Sequence, residues 1–211
     1  MNFHRNAGKV INILTFISTL SAWGVAYVSF GGDMSIQGGS YALGIMTLWS
    51  TVKSWTAIRR LQIDEHRTWV IRSWSYQMSV ITLRVLAVSL AIIISIVGGF
   101  YHSMPCKEVE FILNDKDLYA LEYPQCQADW NGSPVTHVAV LADVTENDDL
   151  RRTAAFRAVF GLSTWAGFWI HAVVCEYYLF LTKDESDRLK MVSEKRQKAR
   201  QMLNERQSTS Q

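Results

Sequence analysis

The chain has 211 residues, 21 Lys and Arg against 19 Asp and Glu, and 49% apolar residues. Its basic residues are not gathered on one soluble face, so nucleic acid is not an expected partner, and no phosphate-loop, dinucleotide, His-Glu-x-x-His or Cys-x-x-Cys pattern is present. Charge is instead segregated: it is sparse in four long apolar stretches and dense between and after them, and apolar runs of about 20 residues suit a bilayer core about 30 Å thick.

Residues 1–9 carry His4, Arg5 and Lys9 and no acid, and residues 10–30 carry no charge. They read as a first membrane helix, an uncleaved anchor, because the apolar run exceeds a signal-peptide core. A glycine-rich turn leads to a second helix over 41–58, interrupted by Lys53 and closed by Arg59 and Arg60. The third runs from about Trp69 to about Phe100, longer than a bilayer needs. Residues 102–153 form one large acidic loop, in which 108–113 and 136–141 read as short strands. A fourth helix spans 154–181, and the charged tail 183–211 extends it, with Asp184/Arg188 and Glu194/Lys198 at i,i+4 spacing.

The expected architecture is an all-α integral membrane protein, a four-transmembrane-helix bundle with a small extracytoplasmic loop domain containing short strands. Its parts are residues 1–101 (three helices), 102–153 (loop domain), 154–182 (fourth helix) and 183–211 (cytoplasmic tail). The N-terminus, the 59–68 link and the tail hold most of the basic residues, and the 102–153 loop holds most of the acids. The positive-inside rule then puts both termini in the cytoplasm, at an inner or plasma membrane. On the opposite side Cys106 and Cys126 can oxidise to a disulfide, which for a loop of this length contributes about 3 kcal/mol. Asn131-Gly132-Ser133 is a glycosylation sequon.

Intramembrane charges call for a reason. Arg72 and Arg157 lie near helix ends and are expected to snorkel. Lys53 and Glu176 both fall about 10 Å from a cytoplasmic helix end and are expected to pair. With Arg84 and His171 they would form a polar layer facing the bundle interior. That layer either fixes helix register or serves a proton-coupled transporter, for which four helices need a homodimer to enclose a path.

At the cytoplasmic edge, His4, Arg5, His66, Arg67 and Arg72 surround the N-termini of helices one and three. Free N–H groups and the dipole make such termini anion sites. An anionic lipid phosphate, a haem propionate or the neighbouring Asp64 and Glu65 would fit, and ordinary basic anchoring is the competing account. Haem b needs two imidazoles at one depth. His66 and His171 differ too much in depth, whereas His4 and His66 agree, so a haem-bearing electron carrier is an alternative. The leading reading is a non-enzymatic protein that contacts the lipid bilayer and a protein partner through the outer loop or the tail.

His4-Arg5-x-x-Gly8, together with His66-Arg67-x-Trp69-Val70-Ile71-Arg72-Ser73 ahead of Thr82-Leu83-Arg84, resembles an uncharacterised family of predicted membrane proteins, the domain of unknown function 2306. Val70 stands where the family pattern has Met. Trp165, Trp169 and Glu176 correspond to its Trp-rich last helix ending in Glu, and His171 stands where an Asn-like residue is expected. The resemblance covers 4–100 and 154–182. It implies a polytopic membrane protein and supplies no reaction.

Overall fold

The structure, a computed structural model, describes residues 2–29, 33–126 and 136–208. The sequon at Asn131 lies outside them. Four long helices dominate: α1 (Asn2–Ala26), α2 (Met34–Arg59), α3 (Ile63–Val97) and α6 (Asp149–Leu181). Between α3 and α6 come β1 (Tyr101–Pro105), α4 (Cys106–Leu113), α5 (Lys116–Glu122) and β2 (His137–Leu141), and α7 (Lys183–Ser208) follows α6. The chain forms two compact units. One comprises Met1–Tyr27, Gln37–Val80 and Gly167–Gln211, the other Val28–Ile36 and Ile81–Ala166.

Among the described residues three helices, Phe3–Ala26, Ile63–Val97 and Asp149–Leu181, are long and apolar enough to cross a membrane. Helix α2 has 26 residues, but Gly, Ser and Thr dilute its apolar character. Its burial pattern is nevertheless inverted relative to a water-soluble helix. Thr47, Ser50, Thr51, Ser54 and Ala57 are buried, while Ile45, Trp49, Val52 and Ile58 are exposed. On helix α3, Ser73, Ser79, Ala87 and Ala91 face inward beside Tyr76 and Leu83, and Ile81, Val85, Ile92, Ile93 and Ile96 face outward. Small and hydroxyl residues at helix contacts with large aliphatics outside are what lipid as solvent selects, because lipid gives no reward for burying Leu or Ile.

In the first unit, Thr51 and Ser73 bridge α2 and α3 at 2.9 Å, and the Trp23 and Tyr41 rings join α1 to α2 edge-on at 6.1 Å. Gly44 makes this approach possible. A Cβ there would stand 2.7 Å from Trp23 Cε2 and closer still to Nε1, too close for the bulky indole to yield cheaply. Gly44→Ala is therefore expected to lower the thermal midpoint in detergent by several degrees, in line with about 1–3 kcal/mol for overpacking; an unchanged midpoint would show that α1 is not held there.

Helix α3 begins earlier than expected. Asp64 and Glu65 occupy its first turn, where carboxylates stabilise the positive dipole end. Ser193 of α7 completes that end: its buried hydroxyl accepts the Ile63 N–H (2.8 Å) and donates to Asp64 Oδ1 (2.6 Å). Helix α6 also starts earlier, where the Asp148 carboxylate accepts the Leu150 N–H at 2.8 Å.

In the second unit, β1 and β2 pair antiparallel in the register Met104↔Val138 and His102↔Val140. Segment 108–113, expected as a strand, is instead helical within α4. Cys106 and Val109 point into a core of Met104, Val138, Val140, Leu150 and Ala154, with Ile112 and Leu113 against it. That recurrence every three to four residues is a helical stripe, and Asn114 ends it in the left-handed conformation at φ 50°. The strand that partners β2 is the preceding Tyr101–Pro105. The expected disulfide is present, with Cys106 and Cys126 bonded across a sequence separation of 20.

Candidate functional site

All five basic-edge residues lie in the first unit, and the three on α3 have side-chain partners. His66 Nδ1 lies 2.9 Å from the Ser54 carbonyl oxygen and 3.0 Å from its hydroxyl. A carbonyl only accepts, so this contact puts the proton of a neutral His66 on Nδ1 and leaves the lone pair on Nε2. Arg67 reaches across to the α6–α7 junction, donating to Thr182 Oγ1 (3.0 Å) and Ser186 Oγ (3.1 Å). Arg72 grips Glu176 in a two-pronged pair, Nε to Oε1 at 2.6 Å and Nη2 to Oε2 at 2.9 Å, and its guanidinium stacks 4.7 Å from the Trp69 ring centroid. Trp69 in turn donates to Glu65 at 3.0 Å. Arg72 is thus held by a carboxylate rather than snorkelling. His4 and Arg5 are exposed in the first turns of α1.

The four residues expected as an interior polar layer are placed differently. Glu176 pairs with Arg72, not with Lys53. Lys53 is exposed, its ammonium 4.9 Å from the Trp49 ring centroid one turn back. Arg84 is also exposed and lines a cavity of about 370 Å³ with Phe156 and Phe160. His171 is half-buried, and its carbonyl accepts from Ser75 at 3.0 Å. In the first unit Thr51 and Ser54 of α2, Tyr76 of α3 and Phe168 of α6 are among the buried residues near these levels. The remaining thiol, Cys175, is buried.

Arg157 departs furthest from its expected snorkelling. Its side chain is only 9% exposed and forms a two-pronged pair with Glu108 of α4, one arm at 2.7 Å. Its Nε is buried without a hydrogen-bond partner. Beside it, His102 on β1 is pushed below its ordinary pKa by burial and then by Arg157, against the opposing pull of Asp33 and Glu108. A depressed folded pKa means the unfolded chain binds the proton first, so this stability is complete above about pH 6.5 and declines as pH falls below it. Wild type is expected to lose more thermal stability than His102→Gln between pH 7.5 and 5.5; equal losses would remove His102 from the pH response.

Sequence reading missed Ser193, Ser186, Thr182 and Gln197, the tail residues that meet the start of α3 and the α2–α3 link. Their one advance signal was the uninterrupted helical character from α6 into the tail. Among the described residues, no group of three or more His, Cys, Asp or Glu side chains is placed to hold a metal ion.

The His-Arg pairs thus stand within the first turns of two long apolar helices, α1 and α3, the second bonded to Ser54, Thr182 and Ser186. Residues 1–104 match the family described as predicted membrane protein, DUF2306. This match takes in α1, α2, α3 and nearly all of β1. The DUF2306 match ends before α4, so Trp165, Trp169 and Glu176 lie beyond it. No curated protein and no solved structure matches the chain. That family is described as predicted membrane proteins, and the description carries no activity.

Proposed function

We propose that this chain is a non-enzymatic, four-span membrane protein that presents helix α7 to a protein partner at the cytoplasmic face and a disulfide-closed subdomain on the other side. The fixing of α7 carries this reading. Arg67 holds Thr182 and Ser186, Ser193 caps Ile63, and Gln197 donates to the Arg60 carbonyl at 3.1 Å. A helix so pinned over its first half keeps its second half, with Met202 and Leu203 exposed, in a defined place without the entropy cost of ordering it on binding. The inverted burial of α2 supports its crossing as the fourth span, and the basic excess supports its cytoplasmic end. An anion-binding edge belongs to the same reading. Arg67 has two hydroxyl partners and, among the described residues, no carboxylate at ion-pair distance, with His4 and Arg5 as its other members. Arg72 is already satisfied by Glu176. A photo-crosslinking residue at Leu203 in intact membranes is expected to trap one discrete protein adduct; lipid adducts alone would contradict partner docking.

A second reading rests on His66. Its Nδ1 contact with Ser54 is the kind of outer hydrogen bond that metal-binding imidazoles use to aim Nε2, and His66 with His4 would be the residues to hold a b-type haem. The absorption spectrum of protein purified from haem-replete cells separates the two: a Soret band that His66→Ala abolishes supports haem, and a colourless protein leaves the scaffold reading.

A further inference from the structure

Apart from these sites, a groove of about 540 Å³ lies between α1 and α2, with Lys9 and Arg59 among its lining residues. Ile13 and Ile17 continue from Lys9 at one-turn spacing, and Val52 and Trp55 lead to Arg59 along α2. The two helices run antiparallel here, since Trp23 near the end of α1 meets Tyr41 near the start of α2. The cations of both walls therefore fall together, and the aliphatic and indole surfaces fall together beside them. Neither α1 nor α2 contains an Asp or Glu. Lys9 and Arg59 form no ion pair among the described residues. The groove thus has a positive end that its own walls cannot neutralise and an apolar track of about 12 Å, the rise of Lys9 to Ile17.

We infer that this groove is a specific site for an anionic phospholipid, its phosphate bound between Lys9 and Arg59 and one acyl chain lying along Ile13, Ile17, Val52 and Trp55. The charge pattern selects the occupant. A zwitterionic headgroup would bring a third cation to an end already carrying two, and a second copy of this helix pair would add only like charge. Arg59 offers a planar fork to phosphate oxygens and Lys9 a point charge.

The test uses the full-length protein in detergent. Native mass spectrometry with phosphatidylglycerol and phosphatidylcholine should show preferential retention of the first. Lys9→Gln and Arg59→Gln should each cut that preference about fivefold, since each juxtamembrane cation contributes on that order. Lys198→Gln with Arg200→Gln, on α7, should leave it unchanged. A diazirine-bearing phosphatidylglycerol on the wild type, which needs no variant to fold, should label peptides 9–17 and 51–59 above the other helices, with competition by unlabelled phosphatidylglycerol only. Equal retention of the two lipids, preference surviving both substitutions, loss with the α7 variant, or labelling spread evenly over α1, α3 and α6 would each overturn the assignment.

Discussion

Glu108→Ala should destabilise the second unit by about 3 kcal/mol, the lower end of the range for removing one partner of a buried pair. The lower end applies because Glu108 is itself 30% exposed, whereas Arg157 is 9% exposed. The loss arises less from the missing attraction than from a guanidinium left buried without its carboxylate and with Nε already unpartnered. The double replacement Glu108→Leu with Arg157→Met removes both charges and should recover most of the stability. Thermal unfolding of the three proteins in one detergent decides the matter. If the double variant is as unstable as the single, packing rather than charge accounts for the loss.

Cys106→Ala with Cys126→Ala should cost about 3 kcal/mol, the loop-closure entropy that a cross-link of this span removes from the unfolded chain. Cys106 is also buried in the small core beside Met104 and Val109, so the thiol's volume adds to the loss. The region 101–126 should become the first site of protease cleavage in the variant, while α1 and α2 keep their resistance. Unchanged cleavage would mean that the sheet and Glu108–Arg157 hold this region without the bridge.

The long apolar helices, the cysteine pairing and the helical tail were legible because each depends on local pattern: run length, two cysteines within one loop, and i,i+4 charges. The charge partners were not. Glu108 meets Arg157 across 49 positions and Arg72 meets Glu176 across 104, and depth reckoning cannot say which way a side chain turns around its helix. It put Lys53 and Glu176 at one level, but levels do not make contacts. The misread strand has a related cause. Val109, Phe111 and Ile112 favour extended structure locally, whereas burial of Cys106 and Val109 and the reach of Glu108 to Arg157 favour helix, and these terms exist only in the folded chain.

We propose that α2 crosses the membrane as the fourth span. Single cysteines at Asn6, Asp117 and Lys198, all exposed positions, can be labelled with an impermeant maleimide in sealed, oriented vesicles, with buried Cys175 as background. Four spans require Asn6→Cys and Lys198→Cys to react from one side and Asp117→Cys from the other. Reaction of Asn6→Cys and Lys198→Cys from opposite sides would leave only α1, α3 and α6 crossing and would contradict the four-span account.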